Sequence, residues 1–488
     1  MNKPLRRVAI FCGLLVLALL IRVNWVQFVQ ADELKEDEHN RRVDIARYSQ
    51  PRGNIIVDGD PITGSKETDT GDFKYKRTYK DGPMWAPVTG YASQVYDANF
   101  LEKLNDGILT GDDDRLFFNR TIDMLTGKEK TGGDVVTTLN SKAQKAAYAG
   151  LKGRKGAVAA INPENGAILA LASAPSYDPS KIAGMTEKDG ENYKALLADK
   201  DKPMTNRALR ETYPPGSTFK VVTAAAALEN GLYTDIDEPT KSPLPYKLPL
   251  SSTNLKNEGN IPCKDATLRN ALKVSCNTVF AKIGDNVGRD KMVEQAEKFG
   301  FNKEIFTPTR SNASVYDTKM DRPGNALSSI GQFNTAATPL QMAMVASAIA
   351  NDGKLMEPYM VEQLRAPNLN VVEQHKPEPM SQPLQPENAQ KLQEMMETVV
   401  EDQGGTGSKA KIPGVTVGGK TGTAQHGVDN SELPYAWFIS YAKTDSGTPV
   451  AVAVVVEDGS ANRDDISGGG LAAPIAKNVM EAVIDSEK

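Results

Sequence analysis

The chain has 488 residues, 40% of them hydrophobic and 24% charged, with a formal net charge of −5. Such a chain can bury a large core and is long enough for more than one domain. Its negative balance argues against a nucleic-acid partner, and no metal or cofactor is expected.

Lys3, Arg6 and Arg7 precede an apolar run from Val8 to Ile21, and Asp32, Glu33, Glu36, Asp37 and Glu38 follow it. Basic residues are retained on the cytoplasmic side, so everything after the run is expected outside the cytoplasmic membrane. The strict run is shorter than the ~20 residues of a spanning helix, and Val29-Gln30-Ala31 offers a weak cleavage site. Against cleavage, Val23, Trp25, Val26, Phe28 and Val29 prolong the apolar character, Arg22 can snorkel and Trp25 suits the interface. Residues 1–30 are read as a cytoplasmic tip and a retained transmembrane signal anchor, with a cleaved signal peptide as the alternative.

Residues 31–133 have a different texture. Arg41-Arg42, Pro51-Arg52-Gly53-Asn54-Ile55-Ile56-Val57, short apolar stretches and Asp112-Asp113-Asp114 predict a small β-rich pedestal domain. It would set the height of the following domain above the membrane and offer a surface to partner proteins, with a mere spacer as the alternative.

From Asp134 to the last residue, 488, the pattern is that of an α+β domain. Gly156–Pro163 and Gly166–Ala170 read as a hairpin, helices follow, then strands at Tyr435–Ile439 and Val450–Val456, and a closing helix at Ala472–Ile484. Strands at both ends with helices between predict that the first and last segments share one sheet. Pro367–Gln385, rich in proline and polar residues, reads as a loop or insertion.

Three short patterns stand in order within that domain: Ser217-Thr218-Phe219-Lys220, Ser275-Cys276-Asn277 and Lys420-Thr421-Gly422-Thr423. Each recurs elsewhere, at Ser408 and Lys411, Ser440 and Lys443, Ser252 and Asn254, and Lys130 to Gly132, so context must choose. Tyr213-Pro214-Pro215-Gly216 breaks the chain before Ser217, and Phe219–Glu229 reads as an apolar helix closed by Asn230-Gly231. On such a helix an i, i+3 pair shares one face, which brings Lys220 near the Ser217 hydroxyl.

A serine alcohol needs a base to become a nucleophile. His39, His375 and His426 lie in contexts that make a Ser-His-Asp triad a weak reading. Lys220 can serve instead if burial and a neighbouring positive charge, which Lys420 could supply, lower its pKa. Val415–Thr423 reads as a strand with glycines that permit close backbone approach. Thr421, Thr423 and Lys420 suit a substrate carboxylate, and the backbone NH groups of Ser217 and Thr423 suit an oxyanion hole. Leu272–Phe280 reads as a turn feeding a helix. Ser275 could relay a proton between the lysines and a leaving amine, and Asn277 could hold a substrate amide, although Ser275 alone would more often be a helix N-cap. Cys12 falls in the anchor, which leaves Cys263 and Cys276 as an even pair in an oxidising compartment, either a disulfide or two separate thiols.

In this order and spacing the three motifs resemble those of penicillin-binding proteins. The 156–170 hairpin, Ile330-Gly331-Gln332, Thr338-Pro339-Leu340-Gln341-Met342-Ala343 and Ala436-Trp437-Phe438 resemble further landmarks of that domain. The whole chain resembles a class B penicillin-binding protein of the actinobacterial A type. The resemblance implies a peptidoglycan D,D-transpeptidase: Ser217 attacks the penultimate D-Ala carbonyl of a stem peptide, with Lys220, Ser275 and Lys420 as catalytic partners and Asn277, Thr421, Gly422 and Thr423 binding substrate. A neighbouring stem amine resolves the acyl-enzyme, and β-lactam antibiotics acylate the same serine. Other cell-wall synthesis or division proteins are the implied partners. A β-lactamase is disfavoured because no Glu-x-x-Leu-Asn element is evident. A D,D-carboxypeptidase uses the same residues with water as acceptor, and a β-lactam-binding sensor or division scaffold is the reading from another class.

Overall fold

The computed structural model describes residues 3–487 except 38–39, 69–70, 129, 260, 426, 428–430, 458–462 and 464–465. Lys3–Phe28 is one unbroken helix of 26 residues, so the apolar character of residues 23–28 extends the run in helical register. At 1.5 Å per residue it is about 39 Å long, enough for a hydrocarbon core of about 30 Å. None of its residues is buried, and by length and composition it is a candidate single-pass anchor.

The α+β domain is organised by a five-stranded antiparallel sheet. Its spatial order is Thr416–Ala424, Tyr435–Thr444, Gly447–Glu457, Lys155–Ile161 and Ile168–Ala174, so the first and last segments of the domain do meet. Lys155–Ile161 pairs with Gly447–Glu457 through registers such as Ala159 with Ala453. The side-chain period of two divides these strands between two cores. Ala451, Ala453 and Val455 face the helix Pro339–Ala350, while Val450, Val452, Val454 and Val456 lie in the core that holds Ser141–Gly150 and Ala473–Ile484. Burial on both faces is why these strands read as nearly unbroken apolar runs.

A second five-stranded sheet joins chain segments far apart in sequence: Val371–Gln374, Val361–Arg365, Asp134–Thr137, Ile55–Val57 and Asp60–Pro61. The stretch Pro367–Gln385, expected as a loop or insertion, holds the strand Val371–Gln374, and also Pro379–Ser381 paired with Leu355–Met356. Of its prolines only Pro379 lies in a strand, as the first residue of Pro379–Ser381, a position where the missing N–H is tolerated.

The rest of the 52–133 region is held by a buried ion cluster. Glu102, fully buried, receives Arg77 Nε at 2.6 Å and Arg52 Nε at 2.7 Å, and Arg52 also reaches Asp106 at 2.6 Å. Burial pushes the Glu102 carboxyl up, but the two guanidiniums outweigh it and hold the group below its ordinary value. Removing one partner from such a cluster leaves buried charge uncompensated. Glu102→Ala is expected to destabilise this region by about 3–5 kcal/mol, read as a lower urea midpoint by tryptophan fluorescence with Trp85 in the affected core.

Candidate active site

The turn before Ser217 is built by close backbone approach. Gly216 has φ +54° and donates its N–H to Gly331 O at 2.9 Å, and a Cβ on Gly331 would stand 2.0 Å from Gly216 O. Pro214 O accepts from the Trp437 indole at 3.1 Å, and Thr218 Oγ1 donates to Pro215 O at 2.7 Å. These contacts explain the Ile330-Gly331-Gln332 and Ala436-Trp437-Phe438 landmarks: the second ties the serine turn to the sheet, and the first ties it to the turn after the helix Arg322–Ser328. Ser217 lies in a 3-10 turn, Gly216–Phe219, that runs into the helix Lys220–Glu229. It is half-buried, and its hydroxyl makes no hydrogen bond to another described residue.

Lys220 and Lys420 are both fully buried. Lys220 Nζ donates to Asn277 Oδ1 at 2.6 Å, to Ser275 O at 2.8 Å and to Ser275 Oγ at 3.1 Å. Lys420 Nζ donates to Thr421 O at 2.8 Å and to the same Ser275 Oγ at 3.0 Å. One hydroxyl thus stands between two lysine nitrogens.

Ser275 reaches that place through an uncommon backbone. The helix Leu268–Lys273 ends with Cys276 N bonded to Ala271 O at 2.8 Å and Ser275 N to Leu272 O at 3.2 Å. That pair of bonds is the Schellman termination, whose left-handed residue is usually glycine. Here it is Ser275, at φ +64°, a conformation that costs a non-glycine residue about 1–2 kcal/mol. The next helix, Asn277–Val287, has Cys276 as its N-cap, so Ser275 is not the ordinary helix cap that its sequence context also allowed.

The electrostatics follow from burial and proximity. Two nitrogens that share one oxygen partner stand within about 6 Å, where two positive charges at an effective dielectric near 20 repel by about 3 kcal/mol. Burial, then the Lys420 charge, drives Lys220 well below the usual lysine value. Burial lowers Lys420 to about 7. A neutral Lys220 can accept the Ser275 proton while Ser275 accepts one from Lys420, which makes the three groups a chain along which a proton can move.

Lys420 sits on Thr416–Ala424, the edge strand of the main sheet. Alternate N–H groups of an edge strand point away from the sheet and are free for a ligand. Gly422 packs against the serine turn, where an added Cβ would lie 3.1 Å from Pro215 O. Thr421 is buried and Thr423 half-buried beside it.

Family models match this arrangement over two stretches: a penicillin binding protein transpeptidase domain over residues 156–481 and a penicillin binding protein A dimerisation domain over residues 52–135. The chain belongs to the penicillin-binding protein transpeptidase family. The peptidoglycan D,D-transpeptidase PbpA of Mycolicibacterium smegmatis is 39% identical over 99% of both chains, and that of Mycobacterium tuberculosis is 40% identical over 100% of both. The solved structure of penicillin-binding protein A from M. tuberculosis as a ceftriaxone acyl-enzyme complex superposes with a TM-score of 0.84 at 39% identity, covering 90% of this chain and 100% of that one. The imipenem acyl-enzyme complex of the same protein gives 0.83.

All three motifs of this family member meet at one place, whereas the repeats do not: Ser440 is buried against Met480. His375 stacks on Tyr359 at 3.7 Å, and His39 and His426 lie outside the described residues. Two site neighbours escaped the sequence reading. Glu258, exposed, is the acidic group that works against the depression of both lysines, and no local pattern marks it. Thr406 bonds Thr421 at 2.7 Å; its signal was the run Gly404-Gly405-Thr406-Gly407, a sign of close backbone approach.

The Glu258 loop is fastened at both ends to the Ser275 turn. Asn257 Oδ1 accepts from Thr278 N at 3.0 Å, and Cys263 is disulfide-bonded to Cys276 with Cα atoms 5.7 Å apart across 13 residues. Closing a loop of that size contributes about 3 kcal/mol. Replacing both cysteines by alanine is expected to lower the melting temperature and to slow acylation by benzylpenicillin, because the residue adjoining Ser275 loses its tether. An unchanged melting curve would contradict the first expectation and unchanged labelling kinetics the second.

Proposed function

We propose that this transpeptidase cross-links peptidoglycan through an acyl-enzyme at Ser217, with Lys220, Ser275 and Lys420 moving the protons. Ser217 Oγ attacks the penultimate D-Ala carbonyl of a donor stem peptide and yields its proton to Lys220. The oxyanion is held by the backbone N–H groups of Ser217 and Thr423. The first, at the helix start, has no backbone acceptor among the described residues, and losing one such donor typically costs roughly 10²–10³ in rate. The C–N bond to the terminal D-Ala breaks, and its amine leaves with a proton passed through Ser275. The amine of a neighbouring stem then attacks the ester carbonyl and loses its proton to the same chain, the ester C–O bond breaks, and that proton returns to Ser217 Oγ. Asn277, with its Oδ1 on Lys220, offers its amide NH2 to the substrate backbone, while Thr421, Gly422 and Thr423 line the groove for the donor's end. β-Lactam antibiotics acylate the same serine.

The observation that carries this reading is the Ser275 hydroxyl, 3.1 Å from Lys220 Nζ and 3.0 Å from Lys420 Nζ. It gives a base-driven serine its proton route without a histidine.

The arrangement along the chain is part of the proposal. Residues 1–30 anchor the protein in the cytoplasmic membrane with the N-terminus inside, 31–133 form the pedestal, and 134–488 form the penicillin-binding domain outside. The pedestal offers its surface to other proteins of wall synthesis or division.

Intact-mass spectrometry with benzylpenicillin tests the nucleophile. A single persistent adduct is expected on the parent chain and none on Ser217→Ala of unchanged melting temperature; labelling of that variant would sink the assignment. The base is tested by pH. Lys220 is depressed by burial and then by the Lys420 charge, which favours its neutral, proton-accepting form, and acylation falls when acid protonates it. Lys420→Met removes the second cause, so the Lys220 pKa rises. The acid limb of the acylation rate should therefore move to higher pH in that variant, and a limb that stays put or moves down would reject Lys220 as base.

A further inference from the structure

The segment from Asp402 to Gly407 bridges two walls of the site, the helix that leads to Ser275 and the edge strand that carries Lys420. On one wall Asp402 pairs with Lys273 at 3.3 Å, and Thr406 Oγ1 donates to Lys273 O at 3.5 Å; Lys273 ends the helix that delivers Ser275. On the other wall Thr406 Oγ1 meets Thr421 Oγ1 at 2.7 Å. The crossing is held tightly from behind, since a Cβ on Gly469 would stand 2.2 Å from Thr406 O and Gly407 N bonds Val399 O at 2.9 Å. Thr406 is exposed, and Thr421, its partner, is buried.

A threonine hydroxyl has a single proton. With the Thr406 proton on Lys273 O, the short contact must be made by the Thr421 proton, which leaves Thr421 nothing to donate to a ligand. An incoming carboxylate changes the balance. Thr406 can release its 3.5 Å bond, near the limit of hydrogen bonding, and turn its proton to Thr421 Oγ1. Thr421 then donates to the carboxylate, a charge-assisted bond stronger than the one lost. Two hydroxyl rotations suffice, with no backbone movement.

We propose that Thr406 is a positioning residue for the terminal carboxylate of the donor peptide, acting through the Thr421 hydroxyl. The proposal rests on the transpeptidase reading above, in which Thr421 lines the groove for the donor's end. Thr406 touches no reacting atom; it sets which way Thr421 presents its proton.

The test uses the full-length chain in detergent and two donor peptides ending in D-Ala-D-Ala, one with the free carboxylate and one with a terminal carboxamide. Thr406→Val is expected to raise KM for the carboxylate donor by roughly 5-fold, the scale of one net hydrogen bond, with kcat little changed. The carboxamide donor should be unaffected, Thr406→Ser should restore the parent KM, and Thr406→Val should cost nothing further in a Thr421→Val background. An equal loss for both donors, no loss for either, or a full additional loss beside Thr421→Val would each overturn the proposal. Failure of the parent chain to acylate Ser217 with either donor or benzylpenicillin would overturn the transpeptidase reading itself. A parent with carboxylate preference that Thr406→Val retains in full would overturn the Thr406 proposal alone.

Discussion

The site depends on two buried lysines that are forced to share one hydroxyl. Lys220 and Lys420 have no exposed surface, and no carboxylate is bonded to either among the described residues. A buried ammonium without a counter-ion is expensive, and two of them around Ser275 Oγ are more so. The molecule relieves this cost by letting at least one amine go neutral, which is the state in which a lysine can accept a proton. The chemistry is therefore a consequence of the packing: the same side chains in water would both be charged and inert as bases.

That packing draws on parts of the chain far apart. The helix Lys220–Glu229 brings Lys220 up from below, buried along its length through Leu228. The edge strand brings Lys420 from the side. The Schellman turn, with a serine where glycine is usual, lowers Ser275 between them. The disulfide and the Asn257 contacts hold that turn, so the backbone strain at Ser275 is maintained by bonds on both sides rather than by the turn itself. Glu258 at the rim opposes the depression of both lysines, and tempers the site without entering it.

The second sheet shows a different use of distance. Its strands come from residues 55–61, 134–137 and 361–374, so the 52–133 region and the transpeptidase domain share backbone hydrogen bonds. Movement between the two parts would have to break that ladder. Because the buried Arg52, Arg77 and Glu102 cluster lies directly behind Gly53 and the first of these strands, with Arg77 Nη1 on Gly53 O at 2.7 Å, the ion cluster stiffens the join as well as the region that contains it.

Much of this was legible in the residues. Apolar runs buried on two faces marked the strands at 155–161 and 447–457, the proline and glycine breaks bounded the Ser217 turn, and the order of three motifs identified the family and the acyl-serine chemistry. By itself the sequence determined which side chains are available for that chemistry and which segments carry them, because motif spacing, turn residues and period are local properties. Only the tertiary structure decided how they share protons. That Ser275 Oγ faces both lysines, that it does so from a left-handed residue, that Thr406 closes on Thr421, and that Pro367–Gln385 lends a strand to a remote sheet are all contacts between distant segments. Their geometry is set by how helices and sheets pack, and no local pattern in the chain encodes it.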